Sequence, residues 1–345
     1  MSHDIATIDG TVSMAYIGQS PWWTTSAFAG REVTPEMSKD VQAMLIAANM
    51  NWQVEAQPLY LADGRVSPHR QAVVRDVDNA ILESVGADTH LVQNSEAFSI
   101  LQPLIDNYGA HVETAGALGN GARVWMLVKL PEAIEPVKGD RHDVYLFMRH
   151  CHDNTMLTEG IPTFVRVVCR NTSQMAVNAA GGENTNTGRL FRIRKTASVH
   201  DKLKAAETLL RRTADAAAYT GRTFARMASE QITPAQIRVY IEDVFPHPLE
   251  NCKVKESKTV TARRLTVEQL VYTSPGADLA GADLTSGLAT PYAAYNAITN
   301  YLDFVRASEA KSKAGSDRAN ISALFGGNAA TKLLALAKAQ QLVAA

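Results

Sequence analysis

His150, His152 and Asp153 are the residues whose types and spacing come nearest to a reactive centre. Positions two apart on a strand face the same side, so two imidazoles there can converge on one ion. Asp153 would add a carboxylate, as ligand or as acid–base partner. Cys151 between them would face the other way. No third ligand stands at a recognisable spacing, and Cys169 or His142 would have to be brought in by the fold. The simpler reading is a bend between strands, with His152 and Asp153 held by hydrogen bonds. No metal is therefore assigned, and His150, His152 and Asp153 are the candidates should one bind. Cys169 with a histidine would make a nucleophile–base pair. It ends an apolar run, however, where a thiol is buried and inert. Asp and Glu are scattered without a spaced pair, so no catalytic residue and no cofactor is expected.

A second chemistry is written in charge. Between Arg189 and Arg226 ten basic residues face only Asp201, Glu207 and Asp215, a balance of +7. Residues 31 to 100 hold ten acids against five bases, a balance of −5, so the formal net charge of −1 hides a strong asymmetry. Lysines and arginines along a helix and its entry loop neutralise phosphates, and the released counterions drive binding. The expected backbone-binding residues are Arg192, Arg194, Lys195, Lys202, Lys204, Arg211 and Arg212. Arg123 and Arg166, projecting from strands, are added to them. Phe191, Tyr219 and Phe224 lie close enough in sequence to stack on unpaired bases. The competing reading is a solvated face, or pairing with the acidic half of the same chain or of a neighbouring subunit. Trp22 and Trp23, after Pro21, would stack on a base or, as the preferred reading, plug a core edge. Gly116, Gly119 and Gly121 lack the Gly-Lys-Ser/Thr ending of a phosphate loop and lead into a strand, so they read as a hairpin turn.

The elements that must position these residues centre on 121–180. The runs Ala122–Leu130 (closed by Pro131), Asp143–His150 and Thr163–Cys169 are rich in Val, Phe, Tyr, Trp and Leu and are bounded by turn formers. Short links between them favour an antiparallel meander, and Asn171 and Thr172 lead into a capped, helix-like segment. Upstream, Thr34-Pro35 reads as a helix start and Trp52–Leu59 pairs with Val73-Val74 across Asp63-Gly64. Asn94–Ile105 is a helix with Phe98, Leu101, Leu104 and Ile105 on one face. Downstream, 198–229 is a long helix, and Thr233-Pro234 starts another. Residues 274–290 read as a flexible linker. Pro291 opens an amphipathic helix, and 328–343 is a final helix. The expected fold class is α+β, a central antiparallel β-meander flanked by helices with a helical C-terminal part. Its divisions are an α+β core (1–180), a basic helical region (189–273), the linker (274–290) and C-terminal helices (291–345).

With 345 residues and three cysteines sharing no metal-type spacing, the chain reads as a cytoplasmic protein of a reducing compartment. Its first ten residues have no apolar core, so no signal peptide is expected. No run approaches the roughly 20 apolar residues of a membrane span.

Several blocks, in order, carry a resemblance. They are Tyr16–Trp22, Val92–Phe98, Ala115–Leu118 with Gly121–Trp125, His152-Asp153, Arg166–Thr172 and Thr290–Tyr301. Together they resemble the phage/plasmid-like protein family built on the domain of unknown function 932. The family's His-Asp-Gly-Ser stands here as His152-Asp153-Asn154-Thr155, and its Arg-His-Thr as Arg194-Lys195-Thr196. The resemblance implies a mobile-element protein in a bacterial host and leaves its chemistry open. A meander followed by a helix beside a basic stripe is also similar, at the level of fold, to phage single-strand annealing proteins. The expectation is a non-enzymatic, homo-oligomeric DNA-binding protein that favours single strands and acts in annealing or recombination, with no membrane association. The alternatives are a host-interaction (anti-restriction or anti-defence) protein and a metal-dependent enzyme built on the histidines.

Overall fold

The computed structural model describes residues 5–18, 30–153, 158–166, 172–174, 199–250, 253–306 and 327–344. The remaining residues, Trp22, Trp23, Cys169 and Asn171 among them, lie outside the described set. Only the backbone is described at 166, 172–174, 199–204, 327, 329 and 344.

The chain begins with β1 (Thr7–Ile8) and β2 (Thr11–Val12), a small hairpin, then β3 (Met14–Ile17) and β4 (Arg31–Val33). Helix α1 (Val41–Ala47) follows. The Thr34-Pro35 start yields only a 3-10 turn at Met37–Lys39, and Asp40 caps α1 instead. Its carboxylate accepts from the Gln42 and Ala43 amides at 2.8 and 3.1 Å, serving two helix donors where a Thr hydroxyl serves one. Strands β5 (Val54–Tyr60), β6 (Val66–Arg75) and β7 (Ile81–Gly86) form an antiparallel three-stranded sheet, with Val54 opposite Arg75 and Arg70 opposite Gly86.

Helix α2 (Asn94–Phe98) runs through a 3-10 turn into α3 (Gln102–Tyr108), and Phe98, Leu101, Leu104 and Ile105 are all buried. Then come β8 (His111–Leu118), β9 (Arg123–Ile134), β10 (His142–Cys151), β11 (Glu159–Arg166) and β12 (Thr172–Gln174). These lie in chain order in a seven-stranded sheet, β12-β11-β10-β9-β8-β3-β4. The sheet is antiparallel but for the β3–β4 pair. The α+β class and the meander are therefore as expected. The Gly119–Gly121 segment closes the β8–β9 hairpin, with Leu118 opposite Arg123. Pro131 does not end β9. The last β8 partner of β9 is Lys129, opposite His111, so Pro131 sits beyond that ladder, where a missing N–H breaks no bond to β8.

The long α4 (Val199–Ser229) leads to α5 (Pro234–Val244), which starts in a reciprocal capping box between Thr233 and Gln236. The β13–β14 hairpin (Leu249–Glu250, Lys253–Val254) precedes α6 (Lys258–Thr273), which Ser257 caps. Residues 274–290 form successive hydrogen-bonded turns that bury Ala277, Ala280 and Ala289. Helix α7 (Pro291–Asn300) continues into a π-helical turn, Tyr301–Val305, and α8 (Gly327–Ala344) ends the described chain. All ten residues of α7 are buried, so it is not the amphipathic helix that its aromatics suggest. Its polar positions are satisfied locally: Asn296 Nδ2 donates to the Tyr292 carbonyl at 2.9 Å and Thr299 Oγ1 to the Asn296 carbonyl at 2.9 Å.

The chain divides into two units. Unit 1 comprises 1–131, 145–162 and 177–214, and unit 2 comprises 132–144, 163–176 and 215–345. The core of unit 1 gathers Met14, Leu45, Val73, Phe98, Val112 and Met126. That of unit 2 gathers Phe164, Phe224, Ile237, Val267, Tyr292 and Ile298. No described helix is long and apolar enough to cross a membrane.

Candidate nucleic-acid interface and the histidine turn

In unit 1, β10 ends at Cys151 and turns at His152-Asp153. Strand alternation brings His150 and His152 to one side, both buried, with ring centroids 4.7 Å apart, edge to face. Each ring is committed. His152 Nε2 donates to Asn94 Oδ1 at 2.9 Å, because an amide oxygen can only accept. Asn94 Nδ2 in turn donates to the Met50 carbonyl at 2.9 Å. His150 Nδ1 lies 2.8 Å from Thr158 Oγ1. The His152 backbone N–H donates to the Ala122 carbonyl at 2.8 Å, tying the turn to the β8–β9 hairpin.

Arg75 braces the same corner. Although almost fully buried, its guanidinium spends Nε and Nη2 on Asp78 at 2.9 and 2.5 Å and Nη1 on the Asn120 carbonyl at 2.7 Å. It also lies 5.4 Å above the Trp52 ring, which sits 5.2 Å from His152. Gly121 leaves room for it: φ is +87°, and a Cβ there would collide with Arg75 Nη1. Asp153 pairs with Arg123 at 3.2 Å.

Burial dominates the proton chemistry of the pair. It lowers His150 to about 4, against the Val92 backbone and Asp153, which favour the proton. It lowers His152 to about 3, helped by the charges of His150 and Arg75. Both rings are neutral at physiological pH, and no group of three His, Cys, Asp or Glu side chains converges among the described residues. The arrangement locks a turn.

The charge-bearing face is on α4. Ala206, Leu209, Thr213, Ala216, Thr220, Phe224 and Met227 are buried along one side. At 100° per residue Arg211, Arg222 and Arg226 fall within an arc of about 60° on the other, with Arg212 on its flank. All four are exposed. Asp215 lies in the same arc and offsets one charge. Arg211, Arg222 and Arg226 make no ion pair among the described residues.

Within unit 2 a groove of about 240 Å³ runs beside this face, lined by Tyr219, Arg222, Thr223, Arg226 and Met227 of α4 and by Gln340 and Val343 of α8. Gln340 Nε2 donates to the Tyr219 hydroxyl at 3.4 Å. The α8 wall is firmly held. Tyr240 OH donates to the Ala335 carbonyl at 3.0 Å, and burial holds that phenol well above its ordinary range. Lys332 pairs with Asp303, both buried, and Lys338 pairs with Asp243 at 3.0 Å. Helix α8 carries no acidic residue, so none of its side chains repels an anion.

Of the residues expected to bind, Arg192, Arg194 and Lys195 lie outside the described residues. Lys202 and Lys204 are on α4 and Arg166 on β11, with side chains not described. Arg211 and Arg212 are exposed, and Arg123 is engaged by Asp153. Of the structural-motif residues, His152 and Asp153 form the turn, and Thr172 opens β12. Among the expected stacking rings, Phe224 is a correction. It is fully buried against His142, Tyr292 and Tyr295, because its position falls on the apolar side of α4. Arg222 and Arg226 were legible through their i, i+4 spacing and their phase with Arg211, whereas nothing in the sequence marks Gln340, 121 residues beyond Tyr219.

A family model described as Domain of unknown function (DUF932) matches residues 81–324, more than half the chain. No curated protein and no solved structure matches it. The match takes in β7 through α7 and the α4 arginines, and stops short of α8.

Proposed function

We propose that this chain, which belongs to the DUF932 family, is a non-enzymatic DNA-binding protein that holds a phosphate backbone along the exposed arginine flank of α4. One observation carries the reading: Arg211, Arg222 and Arg226 share one flank of a 31-residue helix, exposed and without a carboxylate partner among the described residues. From Arg211 to Arg226 the flank runs about 22 Å at 1.5 Å per residue. Arginine forks match phosphate oxygens two at a time and stay charged at any working pH. The groove beside Arg222 favours single-stranded DNA. Single-strand annealing or recombination in the cytoplasm of a phage- or plasmid-bearing host, by a homo-oligomer, is the setting that fits such a grip.

The test is a fluorescence-anisotropy titration with single- and double-stranded 20-mers at two salt levels. Affinity should fall steeply as salt rises. Replacing Arg222 and Arg226 together with Ala should weaken binding about tenfold and flatten the log–log salt slope by about 1.4, at roughly 0.7 per lost phosphate contact. No binding at low salt would overturn the proposal.

A second reading, a host-interaction protein, draws on the three-stranded sheet. Tyr60, Leu61, Val66 and Ile81 are exposed there, although apolar side chains on strands normally cover a core. If that sheet is the working surface, Tyr60→Ser with Leu61→Ser should abolish capture of a partner from nuclease-treated lysate while DNA affinity stays unchanged.

A further inference from the structure

The groove between α4 and α8 has a composition that a backbone grip does not require. Two arginines, Arg222 and Arg226, stand on one wall beside Tyr219 and Met227, and Gln340 and Val343 stand opposite. A phosphate alone would need only the arginines. The thioether, the valine and the phenol ring offer an apolar, polarisable lining to something flat. The Gln340 carboxamide has both donor and acceptor capacity, the pattern of a base edge, and its bond to the Tyr219 hydroxyl steadies the ring. The groove, about 240 Å³, has room for a heteroaromatic ring.

We infer that this groove receives a single unpaired base, with the ring against Tyr219 and its own phosphate on Arg222 and Arg226. The inference rests on the backbone-binding reading and adds to it the reason for strand choice. A base in a duplex stays in its stack and cannot enter, whereas a single strand turns one out at little cost. Recognition by stacking tolerates any base, so the site discriminates strandedness and not sequence.

The experiment compares a labelled thymidine 20-mer with an abasic sugar–phosphate strand of the same length and charge, at low salt. Wild type should bind the thymidine strand about tenfold more tightly, the lower part of the range that stacking on one aromatic supplies. Tyr219→Leu should erase that preference and leave affinity for the abasic strand unchanged. Val343→Trp, which fills the groove from the other wall, should do the same, so the test does not depend on one variant folding; thermal melts confirm that each does. Equal affinity of wild type for the two strands, or a preference that survives both substitutions, overturns the base site and leaves the backbone grip standing. Binding to neither strand overturns both.

Discussion

The histidine turn of unit 1 and the Arg222–Arg226 pair of unit 2 are both polar, and they differ in where their hydrogen bonds end. In the turn, the buried Asn94, His152, Arg75, His150 and Thr158 make their hydrogen bonds to one another, to Asp78 or to nearby backbone. On α4, Arg222 and Arg226 reach solvent and make no ion pair among the described residues. Inward-facing polarity specifies a fold, because each lost partner leaves a buried group unsatisfied. Outward-facing charge without a partner adds little to stability and is available to a ligand. The sequence puts the histidines first as chemistry; in the structure both rings are buried, with His152 held by Asn94 and His150 by Thr158.

The comparison is most easily broken with acid. Unfolded histidines titrate near 6.5, and the folded rings near 4 and 3, so the unfolded chain takes up protons first. Stability should be complete above about pH 6.5 and drain away as pH falls toward 4. Each ring costs about 1.4 kcal/mol per pH unit, roughly 5 kcal/mol for the pair by about pH 4.5. Urea unfolding at stepped pH reads this directly. In His152→Phe the loss should be about half as steep, and an unchanged slope would detach the turn from the acid response.

Next in size is Gly121→Ala. A side chain at φ +87° is strained and also displaces the buried Arg75 guanidinium. The expected cost is about 2–4 kcal/mol in a urea titration, with the affinity of the folded protein for DNA unaltered. The complementary change, Arg222→Ala with Arg226→Ala, should lower DNA affinity about tenfold and move stability by less than about 0.5 kcal/mol. If it destabilises as Gly121→Ala does, the flank belongs with the turn as structure. The smallest effect sharpens the contrast inside unit 2. Thr233→Ala removes the α5 capping box and should cost about 1 kcal/mol in thermal unfolding without touching DNA affinity.

Legibility followed the range of the interaction. The meander, the β5–β6 pairing, the Phe98–Ile105 face and the long α4 were readable because alternation, helical spacing and turn residues act over a few positions. Asp40, which outcompetes Thr34 as a cap, turned on two hydrogen bonds that spacing alone does not rank. The buried state of α7 was hidden because Asn296, Thr299 and Asn300 read as a wet face. The local bonds of Asn296 and Thr299 hide that polarity from the sequence pattern. Of the groove, the sequence reading named Tyr219 but left Arg222 and Arg226 out of the binding set, although their phase with Arg211 marks them; Gln340 and Val343 reach Tyr219 only through tertiary packing.

Helix α7 leaves no side to the solvent. With ten residues it is too short to persist alone in water, and it gains its stability from neighbours that arrive from both earlier and later in the chain, α6 and α8. Removing α8 would therefore strip one side of α7 bare and leave its buried aromatics facing water.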